Sequence, residues 1–278
     1  MIVTFLLQLF IVTLMLSLSF QITAQDIFHT LQRSRLIISS LLANFLFIPF
    51  ATYFFTEMID IPRTTAFTLF LASVAPGAAF APKLVAIACG DLSAAVSLTF
   101  ILSILAVVVT PLAVQLAYFS EGNLLINVMP IVGSLILFQL LPLIVGFVIH
   151  HRNKALVKQL LRPVEFISDI LFVSLLVIFL FNKFSIIFNL EWLSIVAIIG
   201  FNVSTLVIGW KLGNFKAYTQ KSLIFTTGSR NLALMLLVAI KTFPQTDIET
   251  TVIAFGLVEV IINLLVSFYC RRSYDLNI

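Results

Sequence analysis

Three ionisable side chains stand in stretches of almost unbroken apolar sequence: Lys83 in PGAAFAPK, Arg230 in TTGSRN and Glu259 in FGLVEVIIN. An arginine at a bilayer centre costs about 2.5–3.5 kcal/mol on the insertion scale, so such a residue needs a partner or a wet cavity. Lys83 lies about 9 Å of helix from Cys89, close enough for its ammonium to snorkel to headgroups. Arg230 lies about 13 Å of helix beyond Lys221 and is harder to bring out. Glu259 shares a helical face with Asn263, four residues on. The spacing predicts a Glu259–Arg230 or Glu259–Lys83 pair, which either braces the structure or carries a coupling proton.

Both cations sit beside sequence that resists a continuous helix. Pro76 and Pro82 cannot donate backbone hydrogen bonds, while Gly77 and Gly228 tolerate conformations other residues resist. In hydrocarbon an unwound stretch survives only against protein or a water-filled cavity. One such helix is equally an ordinary proline kink. Two at matched positions in oppositely oriented halves point instead to a transporter binding site near the midplane. The half-helix N-termini after the breaks would present free N–H groups to an anion.

The elements that carry these residues follow from composition. Of 278 residues, 61% are hydrophobic and 10% charged, too little polar surface to coat a soluble globule. Apolar stretches of about 20 residues recur along the chain, each long enough to cross the bilayer as a helix. The sequence therefore predicts an all-α polytopic membrane protein with nine spans, near 2–22, 36–54, 64–88, 93–118, 126–149, 164–182, 191–210, 217–240 and 250–270. With the first loop cytoplasmic, eleven basic residues fall on that side: Arg33, Arg35, Arg152, Lys154, Lys158, Arg162, Lys211, Lys216, Lys221, Arg271 and Arg272. Three (Arg63, Lys183 and Lys241) fall on the other. The bias places the N-terminus outside and the C-terminus in the cytoplasm, in the cell membrane. LSLSFQITAQD reads alternatively as the end of a cleaved signal, but no Lys or Arg precedes the apolar run and Ile22 is large for a cleavage site.

APGAAFAPKLVAIACGDLSAAVSLT and FTTGSRNLALML, together with NFLFIP from Asn44 to Pro49, resemble the bile acid:sodium symporter family at its two crossing helices. The resemblance implies a core domain (about 36–118 and 191–270) moving against a panel domain (about 2–22 and 126–182) within one transporter unit. It implies a nine-span form built on an inverted repeat. Its sodium sites use oxygen ligands, as a hard cation requires, and here the match fails. The family's Ser-Asn pair becomes Ala81 and Pro82, a serine becomes Ala95, the glutamate becomes Thr226 and the glutamine becomes Arg230. Thr99 and Asn231 are kept, and Asn44 stands where a glutamine is common. The sodium site thus reads as degenerate. Lys83 and Arg230 would replace the ions electrostatically, since fixed cations oppose monovalent cation binding.

The resulting reading is a secondary transporter of a small organic anion, needing no cofactor and no resident metal. Lys83, Arg230 and the half-helix N-termini would attract the anion and Asn231 with Thr99 would shape its site, with Asn44, Thr226, Ser229 and Glu259 around them. The partners are the anion and the lipid bilayer; in a membrane chain the net charge of +4 does not indicate nucleic acid. Cys89 and Cys270 lack metal or redox spacing, and neither sits at a break, which disfavours an arsenite-type carrier that would use a soft thiolate in its pore. No HExxH, no GxSxG and no histidine inside a predicted span argue against an intramembrane enzyme. Glu165 and Asp169 read as interfacial or capping residues, and His150 and His151 as a solvated face. A transport-inactive sensor or assembly protein on the same fold is the alternative.

Overall fold

A computed structural model of the chain describes residues 2–120, 129–188, 190–213, 216–242 and 248–275. Fourteen helices run through it: α1 (Ile2–Phe20), α2 (Ala24–Gln32), α3 (Ser34–Leu42), α4 (Ile48–Met58), α5 (Arg63–Val74), α6 (Ala81–Ile87), α7 (Leu92–Ser120), α8 (Met129–Leu135), α9 (Leu141–Arg152), α10 (Lys154–Phe188), α11 (Trp192–Leu212), α12 (Ala217–Gly228), α13 (Leu232–Thr242) and α14 (Ile248–Asp275). No strand occurs among the described residues, as expected where backbone groups must be satisfied within each segment. Among the described residues, six helices or helix pairs are long and apolar enough to cross a membrane, and a seventh counts if α1 and α2 form one bent span. The start of the expected fifth span, 126–128, lies outside the described residues.

Leu7, Ile11, Met15 and Leu18 recur at helical spacing along α1 and are buried, with α1 lying along α9 and α10. A side chain at Gly146 of α9 would collide with Ser19, so α1 and α9 approach closely. Elsewhere in the bundle α11 and α12 pack closely together. There a Cβ at Gly209 would stand 3.0 Å from the backbone of Ile224.

Three features depart from the sequence reading. First, the connection after α1 is itself helical: α2 turns off α1 by 76° and begins with a reciprocal Thr23–Asp26 capping box. Burial would raise the Asp26 carboxyl, but hydrogen bonds from Thr23 and Ser93 outweigh it and hold Asp26 below its ordinary range. Second, α10 starts at Lys154 and runs straight through Pro163, ten residues before the expected start of that span. Third, two helices pass through a π-turn, Ala43–Phe47 and Ile136–Leu140. Each is followed at the same distance by a proline, Pro49 or Pro142. A proline removes an i→i−4 bond and crowds the carbonyl one turn back, and a wider turn relieves both.

Candidate functional site

Both predicted interruptions are present, at 75–80 between α5 and α6 and at 229–231 between α12 and α13. They meet: the backbone N–H of Asn231 donates to the carbonyl of Ala75 at 2.9 Å, so a free donor of one break satisfies a free acceptor of the other. Helix α7 serves the first break further. The Thr110 hydroxyl donates to Val74 O at 2.6 Å and the Ser103 hydroxyl to Gly77 O at 2.8 Å. Gly77 has φ +87, and a Cβ there would fall 2.6 Å from the Ser103 backbone nitrogen; only glycine fits. Pro76 lies within the first break. Pro82 occupies the first turn of α6, where a missing N–H forfeits no intrahelical bond.

At the second break the Asn231 side chain caps α13, its Oδ1 accepting from Leu234 N at 3.0 Å. Arg230 is 1% exposed. Its guanidinium donates to Asn44 Oδ1 at 3.1 Å and to the Thr227 carbonyl at 2.5 Å, and its carbon lies 6.0 Å above the Phe201 ring. The Thr227 carbonyl is open because α12 stops one residue later, at a helix end where positive charge is favoured. Asn44 sits on the π-turn and spends its amide on Ser40 O at 2.9 Å, which turns its oxygen to Arg230.

Glu259 corrects the expected ion pairing. Its Oε1 accepts from the backbone N–H of Arg230, not from the guanidinium. The break turns that N–H toward α14 while the Arg230 side chain runs the other way, to the α3–α4 junction. Asn263 shares the Glu259 face, as its spacing predicts, but its amide binds backbone carbonyls: Glu259 O at 2.9 Å and Gly228 O at 3.4 Å. Lys83 reaches neither Glu259 nor the Arg230 cage. Its ammonium donates to Asp169 Oδ1 of α10 at 2.9 Å.

Asp169 and Glu165 therefore do not cap a helix; they lie well inside α10 and bridge to neighbours. Glu165 accepts from Gln21, just past the end of α1, at 3.0 Å. Thr226 spends its hydroxyl on Ser222 O at 2.7 Å within its own helix. Thr99 and Ser229 are buried with hydroxyls lacking a partner among the described residues. His150 and His151 fall in the last turn of α9 rather than in a loop. With Thr23, Gln25 and Lys154 they line a separate cavity.

A cavity of about 130 Å³ opens beside the crossing. Lys83, Asp169, Arg230, Asn231 and Glu259 supply its polar wall, and Phe10 and Phe172 face them. Asn44, Thr99, Thr226 and Ser229 are not among its walls. Around it Arg230 Nε, Asn231 Nδ2 and Glu259 Oε2 are buried without a partner among the described residues, a set of groups that can hold a polar guest. No cluster of three metal-ligating side chains occurs among the described residues.

Two supports were missed from sequence. Lys221 is buried in α12, and its ammonium caps the end of α6 through Ala88 O at 2.6 Å; nothing in its local sequence separates it from a loop lysine. Asp91 ties three elements together. Its carboxylate takes Arg33 at 2.6 Å and the N–H of Ala94 at 3.1 Å, and its carbonyl takes Ser222 at 2.6 Å. The N-cap pattern of Asp91 before α7 was legible, though its long-range partners were not.

Two interrupted helices touching inside an apolar bundle, with a charged cavity beside them, define an integral membrane protein of the transporter type. The chain belongs to the sodium bile acid symporter family, whose family model matches residues 8–190. That match includes the first break and ends before the second. No curated protein matches the chain.

Proposed function

We propose that the protein is a sodium-independent secondary transporter of a small organic anion, working by movement of a core (about 36–118 and 191–270) against a panel (about 2–22 and 126–182). The observation that carries this reading is the position of Arg230. Its guanidinium occupies the oxygens a hard cation would use at the crossing, Asn44 Oδ1 and Thr227 O. A fixed cation there opposes sodium entry strongly in a low dielectric. The role assigned to the two cations therefore divides: Arg230 substitutes for the ion, whereas Lys83, held by Asp169, faces the cavity where the anion binds. The membrane is the cell membrane, with the N-terminus outside.

Counterflow of organic carboxylates and sulfonates in proteoliposomes tests this directly. Exchange at equal rates in sodium and in choline is the expected result. Robust stimulation by sodium contradicts the reading, and binding without exchange favours a sensor on the same fold.

A further inference from the structure

Four ionisable groups line the cavity: Lys83, Asp169, Arg230 and Glu259. Two of them are already engaged and buried. Arg230 is bound to Asn44 and Thr227, and one oxygen of Glu259 accepts from the Arg230 backbone. Their remaining atoms, Arg230 Nε and Glu259 Oε2, stay buried, and the half-exposed groups of the cavity are the other pair. Lys83 and Asp169 stand 2.9 Å apart with side chains 44% and 62% exposed, on helices that approach from opposite sides of the cavity, α6 and α10.

A simple anion is poorly served by this arrangement. At the Lys83 ammonium it stands beside Asp169, and two carboxylates then share one cation. A molecule carrying both a carboxylate and an ammonium group meets no such conflict. Its carboxylate takes Lys83, its ammonium takes Asp169, and no net charge enters the membrane interior. Behind the charged pair the walls are hydrocarbon. A second cavity of about 140 Å³ shares Phe10, Phe172, Leu232, Ala233 and Val260 with the first, which leaves apolar room for the body of the guest.

We propose that the Lys83–Asp169 pair makes the site selective for zwitterions with an apolar body, Asp169 being the residue that discriminates against plain monoanions. The proposal rests on the transporter reading above and names its substrate class.

Thermal unfolding of the purified protein with three matched probes tests it: cyclohexanecarboxylate, tranexamate (which adds an aminomethyl group) and cyclohexanemethylamine. The unaltered protein is expected to be half-stabilised at a tranexamate concentration at least about fivefold below that of the carboxylate, the effect of one charge contact in a wet site. Asp169→Asn is expected to reverse that order, Asp169→Glu to keep it, and Lys83→Met to favour the amine. These residues are half-exposed, so the variants are expected to fold; each is checked by its unfolding in the absence of probe. The same preference in the unaltered protein and in Asp169→Asn overturns the proposal while leaving a transporter of anions standing. Stabilisation of none of the proteins by any probe overturns the site reading and the proposal with it.

Discussion

At the scale of single residues, the crossing depends on two side-chain choices whose consequences differ. Gly77 combines a positive φ with a backbone neighbour that leaves no room for a Cβ. Gly77→Ala is expected to destabilise the protein by about 1–3 kcal/mol or more, since a strained conformation and a steric clash act together; thermal unfolding in detergent measures it. Arg230 is held by acceptors that are themselves buried. Arg230→Met strands the Asn44 oxygen and the Thr227 carbonyl, each at a cost of about 1–3 kcal/mol, and is expected to lower the unfolding temperature. An unchanged temperature would show that the guanidinium is not paired as described. Both residues stood out in the sequence because glycine beside proline, and arginine in an apolar run, each break a local rule. The pairings did not stand out: Ser103 and Asn44 are 26 and 186 positions away from the groups they contact.

Helices show the same division between local and distant signals. Apolar length announced the membrane helices, Pro–Gly punctuation announced the first interruption and Gly228 beside a buried arginine the second, because hydrocarbon thickness and backbone geometry act within one segment. The Thr23–Asp26 capping box was equally local, yet α2 was passed over as loop because its stretch is short and mixed. Helix α10 begins ten residues before its apolar run, because the stretch 154–163 is charged and mixed and carries no membrane-length signal of its own. The turn after α6 is fixed from outside: Arg33, Ser222 and Tyr218 all bind Asp91. Asp91→Ala removes both the cap of α7 and the Arg33 ion pair while leaving the main-chain bonds. A loss of about 1–2 kcal/mol is expected from the cap alone. Arg33→Ala is expected to cost less, since an ion pair partly open to solvent contributes little. Comparing the unfolding temperatures of the two variants checks that order.

For the whole molecule, orientation and coupling are the properties that matter. Eleven basic residues against three predict that the connection between α9 and α10 faces the cytoplasm. A cysteine placed at Lys158, in a protein freed of Cys89 and Cys270, is expected to resist a membrane-impermeant thiol reagent in intact cells. It is expected to react after permeabilisation; labelling of intact cells would reverse the assigned topology. Coupling turns on whether Arg230 holds the place of an ion, and sodium-dependent thermal unfolding of the unaltered protein and of Arg230→Gln tests that most directly. The unaltered protein is expected to unfold at the same temperature in sodium chloride and in choline chloride, and Arg230→Gln, with its oxygens freed, to be stabilised by sodium. Stabilisation of the unaltered protein by sodium would contradict the assignment.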